Sequence, residues 1–329
     1  MTPQDRLVAV EKKGFTSRQA AFLVTVMLHS GVCLGRQYCT YSRIVRGQKM
    51  YDFFSSLVAR RLATPYSSAH RRARIYHVHG KALYALIGEP NNRNRKPVTL
   101  ARAIERLMLL DAVIAEPKLR WLGSEREKVE YFQRRTTLRV AELPSLSFGL
   151  APRSTVRYFP DKLPIGIATD QRTHVFLYLV NRETPVDFRA FLHRHAELFR
   201  ALPEWELRLL VPRHLTESAL VFEAAARQEL AMPLRLDDAN ELGWFFRQRR
   251  MLDNEGVVDE RKRFRSAVRQ FHAPRYRAMY RLWKKEGDAL LHATVSRVLG
   301  DALARRTGLI RTQELSHAYQ HLSPLVGSA

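Results

Sequence analysis

Cysteine and long apolar runs are both scarce in this chain. It has two cysteines, Cys33 and Cys39, in 329 residues, too few for a disulfide framework and spaced unlike the ligands of a zinc site. The longest apolar run, residues 20–28, is interrupted by Thr25 and is well short of the roughly 20 residues that span a membrane. The first residues lack a secretory signal pattern. We therefore expect a cytoplasmic protein in a reducing compartment, with no membrane partner.

Motifs of nucleotide binding and nucleophilic catalysis are absent as well. The sequence contains no Gly-x-Gly-x-x-Gly, no phosphate-binding loop of the Walker type and no Gly-x-Ser-x-Gly elbow. His77 and His79 alternate along a β-prone run and so share one face, but nothing nearby completes a zinc ligand set. We expect these two side chains to face DNA or solvent, and we predict neither a cofactor nor a bound metal.

Acidic residues are few relative to basic ones. The chain has 55 lysines and arginines against 32 aspartates and glutamates, a formal net charge of +23. Residues 1–96 hold 17 of these basic residues and four acidic ones, and residues 247–285 hold 13 and four. A charge of this size indicates a polyanionic partner. Nucleic acid is the first candidate and an anionic membrane surface is the second.

The first basic region has the pattern of a winged helix-turn-helix. Thr16 and Gln19 form a capping-box pair before an apolar helix, and Gly31 and Gly35 mark the turn that follows it. After a third helix, two β-prone runs flank a tip rich in arginine, so a helix and a cationic wing give two points of contact on a duplex. The helices are predicted over residues 16–30, 36–45 and 48–62, and the hairpin over residues 62–79.

The third helix has one apolar face and one polar face. Met50, Phe54, Leu57 and Val58 are spaced to share the core side. The opposite side carries the side-chain types that contact base edges and phosphates. We predict binding to double-stranded DNA as a homodimer on two half-sites, although modules of this kind also serve protein contacts. The predicted DNA-binding residues are Arg43, Arg46, Gln48, Lys49, Tyr51, Ser55, His70, Arg71, Arg72 and Arg74.

Beyond this module the pattern changes twice. Residues 91–97 are polar and basic, which predicts a linker, and an amphipathic helix over 98–114 is expected to pack on a second subunit or within the chain. Short β-prone runs then alternate with two helices, which predicts an α/β domain. The fold class is therefore α+β and multidomain. The predicted domains are a winged helix-turn-helix at 1–96, a helical linker or dimerisation segment at 97–150, an α/β domain at 151–245 and a basic helical region at 246–329.

The Arg-rich hairpin and the Tyr-His-Val-His-Gly-Lys join that follows it (residues 76–81) resemble the replication-relaxation family of mobile-element proteins. MarR-like regulators share the N-terminal pattern. The resemblance implies DNA binding linked to plasmid or integrative-element maintenance, as a transcriptional regulator or an accessory factor. It also implies a central region similar to a restriction-endonuclease core, with residues 158–165 at its Pro-Asp strand and residues 174–180 as the next strand.

That core raises the alternative of a Mg²⁺-dependent DNA endonuclease. Such an enzyme needs an aspartate and then an acid-x-Lys triplet, because two carboxylates hold the metal and the lysine supports the attacking water. Asp161 suits the first position, but the next strand has no such triplet, and Glu183 follows its end. We therefore expect an inactive core and no enzyme, with Asp161 and Glu183 as the only catalytic candidates.

The second basic region interleaves cations with aromatic residues. One interpretation is a helical surface whose arginines cover apolar neighbours and pair with nearby acids. A second is another phosphate-contacting surface, and a third is a basic helix on a membrane. A further hypothesis makes the chain a DNA-bound adaptor that recruits a recombinase or a replication protein through these helices.

Overall fold

The computed structural model describes residues 1–66, 74–149, 154–319 and 322, and within them the chain is a mixed α+β protein. Its strands form three separate sheets. The helices are α1 Pro3–Glu11, α2 Ser17–His29, α3 Gly35–Ser42, α4 Gln48–Ala59, α5 Lys81–Leu86, α6 Leu100–Ala115, α7 Glu125–Arg135, α8 Val186–Ala201, α9 Ala219–Ala231, α10 Leu236–Glu255, α11 Arg261–Gln270, α12 Pro274–Glu286, α13 Ala289–Thr294 and α14 Val298–Ala304. The strands are β1 Val32–Leu34, β2 Ala63–Pro65, β3 Ile75–Val78, β4 Arg120–Leu122, β5 Ser145–Phe148, β6 Thr155–Tyr158, β7 Ile165–Ile167, β8 Thr173–Leu179, β9 Glu204–Val211 and β10 Gly308–Glu314.

The N-terminal helices begin and end close to their predicted limits. The predicted capping box is present, since the Thr16 side chain accepts from the Gln19 N–H and the Gln19 side chain accepts from the Thr16 N–H. The helices α2, α3 and α4 pack around one apolar core, and α5 closes it through the buried ring of Tyr84. A three-stranded antiparallel sheet in the order β1-β3-β2 lies against these helices. The sequence pattern did not predict β1, whose three residues stand between two glycines.

The central sheet has five strands in the order β10-β9-β8-β7-β4. Strands β8, β9 and β10 are parallel, whereas β7 and β4 join them in antiparallel pairs. Strand β4 lies before the boundary predicted at residue 150 and β10 lies after the one predicted at 245. The sheet therefore crosses both boundaries, because its two edges are filled by strands distant in sequence. The region predicted as helical at 246–329 correspondingly contributes a seven-residue strand.

Strand β8 is buried on both faces and separates two apolar cores. Val175, Leu177 and Leu179 face the core that includes α6, while Phe176 and Tyr178 face the core built from α8 and α9. This is the alternation that a strand imposes on successive side chains. The sheet therefore has α6 on one side and α8 with α9 on the other. Helices α10 to α13 pack around a further core of their own.

Helix α6 fastens the N-terminal module to the central sheet. Its apolar residues are buried between β1 and β3 on one side and β8 on the other. Arg36 of α3 forms a two-point ion pair with Asp111 of α6 at 2.8 and 2.6 Å, and the Gln37 amide donates to the Leu107 carbonyl at 2.9 Å. The helix predicted as a linker or dimerisation segment is thus covered within the chain, because the module and the sheet both need an apolar partner.

Candidate nucleic-acid interface

Helix α4 is positioned by four side chains that share one buried face. Met50, Phe53, Phe54 and Leu57 are each no more than 5% exposed, at the i, i+3, i+4 and i+7 spacing of one helix face. Val58, predicted on this face, is 37% exposed. The prediction for Val58 was wrong because Phe53, and not Val58, completes the buried stripe. Val58 therefore lies toward solvent. The opposite face of α4 is left free for other contacts.

The hairpin strand β3 is held against α4 by an aromatic stack. The ring of Tyr76 lies 4.2 Å from the ring of Phe54, centroid to centroid, with 19° between their planes. Across the sheet, Tyr76 pairs with Cys33 of β1 and with Pro65 of β2. Burial raises the pKa of Tyr76, an effect opposed by the adjacent Arg74 guanidinium. The helix and the hairpin are therefore fixed relative to each other.

The predicted residues on α4 share one exposed face. Lys49, Tyr51 and Ser55 are exposed. Tyr51 is a large aromatic residue, and it is 49% exposed. The Gln48 amide donates to Asp52 Oδ1 at 2.6 Å, one turn further along, so both side chains lie on this face too. Because Met50, Phe53, Phe54 and Leu57 point inward, the exposed face combines a cation, a carboxylate, other hydrogen-bonding groups and one aromatic ring.

The predicted arginines lie on the segments that flank α4. Arg43 ends α3 in the left-handed conformation, with φ of 52°, and its side chain is exposed. Arg46 is exposed in the connection that leads to α4. Arg74 is exposed immediately before β3. His70, Arg71 and Arg72 lie outside the described residues. The exposed cations are thus found on both sides of α4 in sequence.

Two predictions near the hairpin were wrong. His77 does not face solvent: its side chain is buried, its Nε2 lies 3.1 Å from the Asn94 carbonyl, and burial lowers its pKa. Residues 91–97 are not a free linker, since the Asn94 amide donates to the carbonyls of Met27 and Leu28, both at 3.1 Å. This docking needs Gly31, because a Cβ there would stand 2.2 Å from the Asn94 carbonyl oxygen.

The two catalytic candidates lie in different settings. Asp161 follows β6, which pairs with β5 outside the central sheet, so the Pro-Asp segment is a turn and not a strand of that sheet. Its Oδ1 accepts from Arg194 Nη2 at 2.7 Å, while Glu183 is exposed after β8. Among the described residues, no group of three or more histidine, cysteine, aspartate or glutamate side chains is arranged to hold a metal ion. The guanidinium of Arg194 supplies the positive charge beside Asp161.

A buried ionic cluster was missed by the sequence analysis. The Glu229 side chain on α9, 1% exposed, pairs with Arg189 of α8, and its Oε2 lies 3.3 Å from Arg275 Nε of α12 and 3.1 Å from His193 Nε2. Burial raises the pKa of Glu229, whereas His193 and the two arginines lower it. The lowering is the larger effect, so the net shift of the Glu229 pKa is downward. The cluster joins three helices that are far apart in sequence, a relationship that no local pattern reveals.

In the part of the chain that the structure describes, no helix combines the length and the apolar character needed to cross a bilayer. No family model matches the chain, and no curated protein or solved structure matches it either.

Proposed function

We propose that this chain binds double-stranded DNA through α4 and the hairpin formed by β2 and β3. The observation that carries the proposal is the stack of Tyr76 on Phe54, because it fixes a polar helix face and a cationic hairpin as one unit. Three helices and a β1-β3-β2 sheet in this order support a winged helix-turn-helix, in which a recognition helix enters the major groove. Helix α4 would take that role.

Charge supports a nucleic-acid partner for this unit. Residues 1–96 contain four acidic residues against 17 basic ones, and of the four only Asp52 lies on α4, where it accepts from Gln48. Lys49 and Arg74 have no carboxylate partner among the described residues. Cations left without a carboxylate on an exposed face are the groups that replace condensed counterions on DNA phosphates.

Within the interface, two kinds of contact have different roles. Arg43, Lys49 and Arg74 would neutralise phosphates, which sets affinity but carries no sequence information. Tyr51 and Ser55, in the middle of the exposed face, would meet base edges. On the sequence pattern alone, His70, Arg71 and Arg72 extend the phosphate contacts along the wing. A regulator or a mobile-element accessory factor is the role that fits such a module, and a homodimer is its expected form on two half-sites.

The proposal is tested by substituting the two kinds of residue separately. Lys49→Gln and Arg74→Gln should each weaken binding to every duplex and lower the slope of log affinity against log salt by about one. Ser55→Ala should instead reduce the preference among duplex sequences selected from a random library. Lys81→Gln, an exposed lysine on α5, is the matched control. If Lys49→Gln and Arg74→Gln bound duplexes as tightly as Lys81→Gln, the proposed interface would be overturned.

A further inference from the structure

Helix α11 contacts the rest of the protein along one narrow edge. Ala267 is its only fully buried residue, and the half-buried ring of Phe264 lies 5.4 Å from the ring of Phe245 on α10. Phe271, just after the helix, lies 5.8 Å from the same ring. Eight of its ten residues are exposed. Most of the surface of α11 is therefore available to a partner.

One arginine of α11 holds this edge in place through contacts within the protein. The Arg263 guanidinium lies 4.0 Å above the ring of Trp244. It also pairs with Glu241 at 2.6 Å and with Glu260 at 3.2 Å. A guanidinium stacked on an aromatic ring and bound to two carboxylates is a structural group. It orients α11 on α10 and offsets one of the two carboxylate charges.

The other four cations of α11 lie together on the opposite side. Arg261, Lys262, Arg265 and Arg269 are exposed, and none of them has a carboxylate partner among the described residues. At about 100° per residue they fall within an arc roughly 100° wide that faces away from Phe264 and Ala267. Along the axis, Arg261, Arg265 and Arg269 are spaced by about 6 Å. We name these four residues the α11 cationic face.

Three acidic side chains of the C-terminal region make their contacts with groups other than these four cations. Asp253 accepts from the Tyr280 hydroxyl at 2.7 Å, and Asp259 accepts from the Gln248 amide at 3.1 Å. Asp288 pairs with Arg247 at 3.0 Å and also accepts from the Trp283 indole. In the described part of the chain, the α11 cationic face therefore has no carboxylate within ion-pair distance.

We propose that the α11 cationic face is a second contact for DNA, which binds the phosphate backbone of a duplex without reading its sequence. The proposal extends the proposed function and rests on it for the class of partner. The aromatic residues that alternate with cations in this region point inward, since Tyr280 and Trp283 are 4% and 6% exposed. Stacking platforms for single-stranded bases are therefore not available on this face.

A membrane partner fits the same face less well. A helix that lies in a bilayer interface needs an apolar face to insert. In α11 the ring of Phe264 and the methyl of Ala267 are already committed to the core around α10. What remains outward is charge and hydrogen-bonding groups, bordered by the side chain of Val268. Rows of arginine at regular spacing instead suit the repeated phosphates of a nucleic-acid backbone.

The test compares two triple variants of the full chain in fluorescence anisotropy with a random-sequence 40-base-pair duplex. One variant carries Arg261→Gln, Arg265→Gln and Arg269→Gln. The control carries Lys118→Gln, Arg134→Gln and Arg305→Gln, three exposed cations on other segments, so both variants lose equal charge. The first should lower the salt slope by about three, one for each lost phosphate contact, and the control should leave it unchanged. Both should keep the unfolding temperature of the parent.

The outcomes separate this face from the N-terminal interface. Equal slopes for the two triple variants would overturn the α11 proposal, whatever Lys49→Gln and Arg74→Gln do. A lower slope for the α11 variant alone, with no effect of those two substitutions, would support this face and overturn the proposed function of α4. The assignment of a duplex as the partner would also be overturned by a second result. In that result, the α11 variant loses binding to phosphatidylserine vesicles or to single-stranded DNA while its duplex binding is unchanged.

Discussion

The ring of Tyr76 on β3 stacks on the ring of Phe54 on α4, with centroids 4.2 Å apart. Phe54 is 1% exposed and belongs to the core of the N-terminal module, whereas Tyr76 stands beside Arg74 at the base of the hairpin. One aromatic pair therefore couples the fold of the module to the placement of its cationic hairpin.

Removal of the Tyr76 ring should loosen the hairpin. Tyr76→Ala deletes a stacked pair worth about 0.5–1.5 kcal/mol beyond the area that it buries, so we expect a lower unfolding free energy in urea and weaker binding to duplex DNA. Tyr76→Phe retains the stack and should keep both properties near those of the parent. Loss of DNA binding in Tyr76→Phe as well would mean that the hydroxyl, and not the stack, is what matters.

The ion pair between Arg36 and Asp111 should stabilise the junction of the module with α6. Asp111 also accepts from the Tyr319 hydroxyl, and its side chain is 14% exposed. Asp111→Asn should cost about 1.5–3 kcal/mol of unfolding free energy, the range for hydrogen bonds to charged groups. Glu217→Gln, which changes an exposed carboxylate, is the control. A difference of less than 0.5 kcal/mol between the two variants, roughly the scatter of surface substitutions, would contradict the junction described.

The Glu229 carboxylate should be a major source of stability for the C-terminal helices. Glu229→Gln leaves Arg189 and Arg275 buried without a counter-charge, since their side chains are 8% and 6% exposed. Removal of one partner from a buried pair costs about 3–5 kcal/mol. Calorimetric unfolding measures this loss. A variant as stable as the parent would show that the cluster is neutral in energy.

The same carboxylate predicts a pH dependence in the acid range. The pKa of Glu229 lies below its ordinary value of 4.5 in the folded protein, so the unfolded chain takes up the proton first. The stabilisation is therefore complete above the unfolded pKa and is lost as the pH falls through the folded one. The unfolding free energy of the parent should fall more steeply below about pH 4.5 than that of Glu229→Gln. Parallel curves would contradict the downward shift.

Local sequence patterns predicted much of the fold. The Thr16 and Gln19 cap and the 3.6-residue periodicity predicted α2, α4, α8 and most of α6, because these signals depend on neighbours along the chain. The strands β8 and β9 were predicted from short β-prone runs. Strand β10 was not, because its burial depends on pairing with β9, which lies about a hundred residues earlier. Such pairings cannot be read from a single segment.

The candidate site was predictable to a similar extent. The polarity of α4 follows from its own sequence, and Lys49, Tyr51 and Ser55 are exposed as expected. The docking of Asn94 under α2 and the burial of His77 depend on contacts across the fold, so a basic polar segment was taken for a linker. In the C-terminal region, only the packing of α11 on α10 separates the arginine that holds the structure, Arg263, from those that remain exposed.

The central claim is that the unit of α4 and its hairpin binds the phosphates of a double helix. The most direct measurement is the anisotropy titration of a labelled random-sequence duplex with the full chain at several salt concentrations. The account predicts affinity that falls linearly in log–log form as salt rises, with a shallower slope for Lys49→Gln combined with Arg74→Gln and the parent slope for Lys81→Gln. An absence of duplex binding at moderate salt, or one slope shared by all three proteins, would contradict it.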